Sequence, residues 1–254
     1  MSGPLIDVSN VSKTFRLHTG RKLIREQVRD WFRRSDAHRF FALRDVSFQI
    51  HPNESVAIVG ANGAGKSTLL SLIAGVASPD QGTIRVNGRV AALLELGSGF
   101  HPDLTGEENV YLHASLLGFH REETTAMFDE IVNFAEIRDF IHEPLRTYSA
   151  GMVCRLAFAV AVHVNPGILI VDEVLGVGDA GFQEKCSEKI AALRREGKTL
   201  LCVSHSAATV TSMCDRAIWL EHGRVRMDGD ARATVGAYMT FIMSQEHGVT
   251  VARG

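Results

Sequence analysis

Three stretches of the sequence predict an α/β fold with a parallel-sheet core. Gly60-Ala61-Asn62-Gly63-Ala64-Gly65-Lys66-Ser67-Thr68 follows the apolar run Ser55-Val56-Ala57-Ile58-Val59 and opens a helical one at 68–74. That is the strand-loop-helix order a phosphate-binding loop requires. Ile168-Leu169-Ile170-Val171 and residues 199–204 are apolar on both faces, as central parallel strands are. Between the loop and the first of these runs, residues 105–140 are rich in helix formers and start on Gly106-Glu107-Glu108-Asn109, so they read as a helical subdomain inserted in the core.

The 254 residues can bury an ample core, and charge nearly cancels, with 27 Lys+Arg against 29 Asp+Glu. Nothing in that balance suggests a nucleic-acid partner. Cys154, Cys186, Cys202 and Cys214 lack C-x-x-C spacing and read as buried, reduced thiols. The first thirty residues have no apolar signal core, and no window approaches the roughly 18 unbroken apolar residues of a membrane span. Any membrane role is therefore expected to come from another chain.

Taken in order, residues 5–15 and 41–50 alternate like half-exposed strands, and His51-Pro52-Asn53-Glu54 turns the chain into the strand before the loop. Between these strands, the insertion 16–40 carries Arg16, Arg21, Lys22, Arg25, Arg29, Arg33, Arg34 and Arg39 against Glu26, Asp30 and Asp36. Ile24, Val28, Trp31 and Phe32 fall on one helical face, with Arg25, Arg29 and Arg33 on another. Such a helix suits lipid headgroups or a membrane partner, and equally suits a short surface helix with solvated charges. After a turn at Pro79-Asp80-Gln81-Gly82, residues 83–94 carry two strand-like runs around the turn pair Asn87-Gly88. The Gly-rich loop Glu95-Leu96-Gly97-Ser98-Gly99-Phe100-His101-Pro102 then leads to the helical part. Beyond it come an apolar helix at 153–164, helices at 180–196 and 207–214, and a hairpin at 217–227 turning near His222-Gly223. The last expected element is a helix at 231–244 with Val235, Tyr238, Met239 and Ile242 on one face.

The chemistry of the loop follows from its residue types. Gly60, Gly63 and Gly65 allow backbone N–H groups to converge on a polyphosphate, and the helix behind adds its dipole. Lys66 brings a mobile charge to the β/γ-phosphates, and Ser67 a hydroxyl for Mg²⁺. At the ends of later strands, Asp172 suits a water-mediated grip on Mg²⁺, Glu173 a base orienting the attacking water, and His205 a contact to γ-phosphate and water. Tyr148-Ser149-Ala150-Gly151-Met152 puts small residues at a helix start, where N–H groups face an anion or serve as an ordinary cap.

These motifs, in this order, resemble the ATP-binding cassette (ABC) family from about residue 4 to 230. Residues 60–68 match its first nucleotide motif, 148–152 are similar to its signature, and 168–173 look like its second nucleotide motif. Val177-Gly178-Asp179 falls at its D-loop, and His205 at its switch histidine. The resemblance implies a P-loop NTPase of ABC type: a mixed, mostly parallel core, an antiparallel β subdomain and an inserted helical subdomain. It implies one nucleotide-binding domain over 1–245, with the β and core parts at about 1–96 and 166–230, helices at about 97–165, and a short tail to 254.

The implied ligands are ATP and Mg²⁺. The implied catalytic residues are Glu173, His205 and Lys66. Nucleotide contacts fall to Phe15 (with Phe40 or Phe41 as substitutes for stacking on adenine), Gly60, Asn62, Gly63, Ala64, Gly65, Lys66, Ser67, Thr68 and Glu95. In a homodimer, Ser149 and Gly151 of one copy would face the γ-phosphate held by the other, with Asp179 at the interface; the metal would meet Ser67, Asp172 and Glu95.

Departures narrow the resemblance. Tyr148, Ala150 and Met152 replace the common Leu, Gly and Gln, and Glu95 replaces the coupling-loop glutamine. With the basic insertion, these features resemble ATPase subunits exporting lipid-linked polysaccharides such as O-antigen, capsule, teichoic acid or galactan. Those subunits sit on the cytoplasmic face of the membrane beside a separate polytopic permease. Other transporter cassettes, or a soluble cassette acting on ribosomes or DNA, are the alternatives. About 24 residues follow Asp230, too few for the carbohydrate-binding domain some members carry, so the glycan is expected to meet the permease or another chain. An ionised Glu95 accepts hydrogen bonds only, which favours Mg²⁺ or water over direct approach to a phosphate. Glu95→Gln is therefore expected to keep nucleotide binding and change the Mg²⁺ dependence of turnover, which superimposable Mg²⁺ titrations would refute.

Overall fold

The computed structural model describes residues 3–16, 39–93, 96–172, 178–204 and 206–251. The insertion helix expected within 16–40, Glu95, Glu173, Val177 and His205 lie outside them.

Two sheets form the body. Strands β1 (Ile6–Arg16), β2 (Arg39–Ile50) and β4 (Gln81–Val86) make an antiparallel sheet in the order β2-β1-β4. The other sheet runs β5-β6-β7-β3-β8-β9. It contains β3 (Ser55–Val59), β5 (Val90–Ala92), β6 (Ile168–Asp172), β7 (Thr199–Val203), β8 (Arg216–Glu221) and β9 (Arg224–Asp230). Its first five strands pair in parallel, and only β9 is antiparallel.

Both faces of this sheet are covered, which explains its unbroken apolar runs. Val56, Ile58, Ile168, Ile170, Leu201 and Val203 face a core shared with the antiparallel sheet and helix α1 (Lys66–Ile73). Ala57, Val59, Leu169, Val171, Leu200 and Cys202 face the opposite core, closed by helices α4 (Ala150–His163) and α5 (Ala180–Arg195). The alternation along each strand decides which core a side chain joins.

A third core, including Val110, Ile131, Leu145, Leu156 and Val160, belongs to the helical part. The expected stretch 105–140 is two helices, α2 (Gly106–Leu116) and α3 (Arg121–Ala135), broken at Gly118 with φ 82°. Helix α2 begins on a capping box. The Thr105 hydroxyl accepts from Glu108 N, and the Glu108 carboxylate accepts from Thr105 N.

The two strand-like runs around Asn87-Gly88 join different sheets: β4 ends in the antiparallel sheet and β5 starts at the edge of the other. Asn87-Gly88 carries the chain between these layers, with Asn87 N bonded to Leu5 O. After the short helix α6 (Ala207–Met213) and the β8–β9 hairpin comes helix α7 (Ala231–Val251), which packs Val235, Tyr238 and Phe241 inward. Met239 is exposed. The rings of Tyr238 and Phe241 meet Trp219 at 5.6 and 5.2 Å, so Phe241 takes the inward place that the sequence face gave to Met239. The hairpin itself turns at His222-Gly223, both with positive φ.

Candidate functional site

The loop between β3 and α1 is built by close backbone approaches. Gly65 has φ 104° and caps α1, and a Cβ there would meet Ala42 O at 2.4 Å. Gly60, with φ 152°, would place a Cβ 2.3 Å from Leu220 O. Both positions exclude a side chain twice over, by conformation and by space. Inside the loop, Lys66 is 7 % exposed and donates from Nζ to Gly60 O at 2.8 Å and Ala61 O at 3.1 Å. This keeps the ammonium folded along the loop, with carbonyl partners that phosphate oxygens can replace.

A cavity of about 320 Å³ opens on the loop, lined by Asn62, Gly63, Gly65, Lys66, Ser67 and Thr68 together with Phe15, Phe40, Ala42 and Val203. Of the expected contacts, Gly60 acts through its carbonyl, and Ala64 is turned into the core below. Phe15 and Phe40 are register partners across β1 and β2, 48 % and 47 % exposed. Two rings thus stand at one end of a polar cradle, an arrangement that takes a flat base at one end and anionic groups at the other. Phe41 is not part of this lining; the Arg44 guanidinium lies 4.3 Å from its ring centre. Asp80 anchors β1 next to Phe15, accepting from Thr14 Oγ1 and N and from Lys13 Nζ. These bonds, with the Thr14 hydroxyl foremost, hold its carboxyl down at about 2.

Asp172 ends β6 beside β7, which brings the sheet's carboxyl edge to the loop. Ser149, Gly151 and Asp179 do not line this cavity. Ser149 caps α4 by accepting from Met152 N at 3.2 Å, and Gly151 is exposed. Asp179 caps α5, accepting from Phe182 N at 3.0 Å. Its pKa is lowered by that backbone bond and by Arg155.

Arg155 and Tyr148 were not among the expected site residues, though both stand in or beside the signature. The Arg155 guanidinium bridges Glu136, at 2.8 Å, to Asp179 and lies 4.9 Å from the Phe182 ring centre. Glu136, which follows α3, also pairs with Lys185. Thus α3, α4 and α5 are tied at one point beside Asp179. Tyr148 is buried and donates from Oη to Phe140 O at 2.7 Å, and burial pushes its pKa up to about 12. Gly106 lies against that oxygen, where a Cβ would come within 2.2 Å. The departure at 148 therefore serves packing. Tyr148→Phe is expected to cost about 1 kcal/mol of unfolding free energy in urea titrations, with nucleotide affinity unchanged.

The loop before α2 is fixed by Asn109, fully buried, which donates to His101 O, Leu104 O and Thr105 O and accepts from His101 N. Next to it, the His113 ring meets Phe100 edge-on at 5.0 Å, and burial lowers its pKa to about 4.

Residues 43–176 match the family model described as ABC transporter. The chain is 45% identical over 239 residues to the O-antigen export system ATP-binding protein RfbB of Klebsiella pneumoniae, covering 92% of this chain and 97% of that one. It is also 45% identical over 203 residues to the teichoic acids export ATP-binding protein TagH of Listeria innocua, covering 80% of this chain and 60% of TagH. The dimeric structure of MJ0796, a bacterial ABC transporter cassette, superposes with a TM-score of 0.69 at 26% identity, over 89% of this chain and 99% of that one. On the match of residues 43–176 to that family model and the 45% identity along 92% of the chain, the chain belongs to the ABC transporter family.

Proposed function

We propose that this chain is the ATP-hydrolysing subunit of an exporter of lipid-linked polysaccharide, acting as a homodimer beside a separate polytopic permease on the cytoplasmic face of the membrane. The observation that carries the reading is the match to an O-antigen export ATP-binding protein along nearly the whole of both chains. Among the described residues no helix is long and apolar enough to cross a membrane, so the translocation path belongs to the permease in this reading.

In the cradle, the loop amides and Lys66 hold the β- and γ-phosphates of ATP, while Phe15 and Phe40 flank the base. Mg²⁺ fits the donor set. Ser67 lines the cavity and Asp172 ends β6, two strands from β3; among the described residues no group of three or more His, Cys, Asp or Glu encloses a metal. An ion that keeps water and phosphate oxygens needs only such a partial shell. Glu95 would add a carboxylate to it. Glu173 orients the attacking water and His205 contacts the γ-phosphate. Ser149, Gly151 and Asp179, outside the cavity of their own chain, serve the cavity of the second copy.

The test is capture of tagged Glu173→Gln protein from detergent-solubilised host membranes in ATP and Mg²⁺. The expected result is a copurifying multi-spanning protein that is lost when residues 22–34 are deleted. Recovery of ribosomes or other soluble partners alone would overturn the export reading and return the basic insertion to a solvated surface.

A further inference from the structure

The site just described uses none of the four cysteines, yet two of them touch. Cys202 on β7 and Cys214, the residue after α6, place their sulfurs 3.1 Å apart. They are 4 % and 5 % exposed and lie in the core on the side of the sheet away from the phosphate loop. Cys186 and Cys154 make no such pair among the described residues. We propose that Cys202 and Cys214 form a redox-sensitive dithiol that hydrogen peroxide converts to an intramolecular disulfide, and that the cross-linked protein hydrolyses ATP more slowly.

The geometry needs little change. Bond formation brings the sulfurs from 3.1 Å to about 2 Å. Either thiol can donate to the other across this contact. Whichever ionises attacks peroxide and the other resolves, here with Cys202 as the attacking sulfur. The Cys202 thiolate displaces hydroxide from peroxide to give a sulfenic acid. The Cys214 thiol then attacks that sulfur, forming the S–S bond, and its proton leaves with the sulfenic oxygen as water; the proton that Cys202 gave up on ionising neutralises the hydroxide. Two thiols lose two electrons, and one peroxide becomes two waters. Peroxide is small enough to reach the pair through local opening, whereas bulky disulfide oxidants are excluded.

The link to turnover is the position of β7. Val203, the next residue, lines the cavity over the phosphate loop, and β7 pairs directly with β3, the strand that enters that loop. On the other side, Asp215 N bonds to Ser55 O at the start of β3. A bond between 202 and 214 closes a ring over α6 and joins these two attachments of β3, stiffening the sheet edge that must adjust to bound nucleotide.

The experiment treats the reduced full-length protein with hydrogen peroxide, removes it, and measures ATP turnover and non-reducing peptide masses. Expected are a Cys202–Cys214 peptide lighter by two hydrogens, a fall in turnover of about tenfold, and recovery with dithiothreitol. Cys202→Ala and Cys214→Ala should each keep their turnover under the same treatment. Should either variant fold poorly, the wild type still decides: both thiols must lose iodoacetamide labelling in parallel with activity. Absence of the cross-linked peptide, unchanged turnover despite it, or equal loss in both variants overturns the proposal.

Discussion

Replacing Glu173 by glutamine is expected to lower ATP turnover at least a hundredfold, to about one per cent, with ATP affinity preserved. The carboxylate follows Asp172 in the chain, at the carboxyl end of β6, which lies one strand from β7 and two from β3. An amide at that place keeps the volume and loses the ability to take a proton from water. Binding should survive because the cavity is lined by other elements: the loop, Lys66, and the rings of Phe15 and Phe40. Phosphate release, nucleotide titration and light scattering measured together check all three consequences, since a trapped nucleotide should also favour the dimer. Turnover within about threefold of wild type would remove Glu173 from the role of base.

The second large effect is on stability. Unfolding free energy is expected to fall by about 3 kcal/mol between pH 7 and pH 4 through His113 alone. Burial depresses its pKa to about 4 in the folded chain from an ordinary 6.5. Between those values the unfolded chain binds a proton that the native one does not, so stability drops as pH falls below about 6.5. His163, also lowered by burial, acts in the same direction. Urea titrations across this range should give a shallower slope for His113→Phe than for wild type. Identical slopes would show that the ring is not held neutral. The first region to loosen should be the helical part, because His113 packs on Phe100 at its entrance.

Much of the fold was legible because burial on both faces leaves a distinctive sequence. The runs 55–59, 168–171 and 199–203 have no polar face, and each is a central strand. Gly65 was legible for a related reason, since no side chain fits the tight loop against Ala42 O and Leu43. The partners of short runs were not legible. Residues 83–86 and 90–92 look alike along the chain, but one meets β1 and the other β6, a choice made by the layers around them. Likewise Arg155 reads as an ordinary helical cation until the structure places Glu136 and Asp179 on either side.

By itself, the sequence determined the glycine loop between β3 and α1 and the central strands around it, because loop conformation and strand burial restrict residue type locally. Only the tertiary structure decided that Phe40 joins Phe15 at the cavity, that Tyr148 serves packing, and that Cys202 meets Cys214. Those facts depend on which distant strands and helices approach one another, and side-chain identity sets no unique partner until the layers have packed.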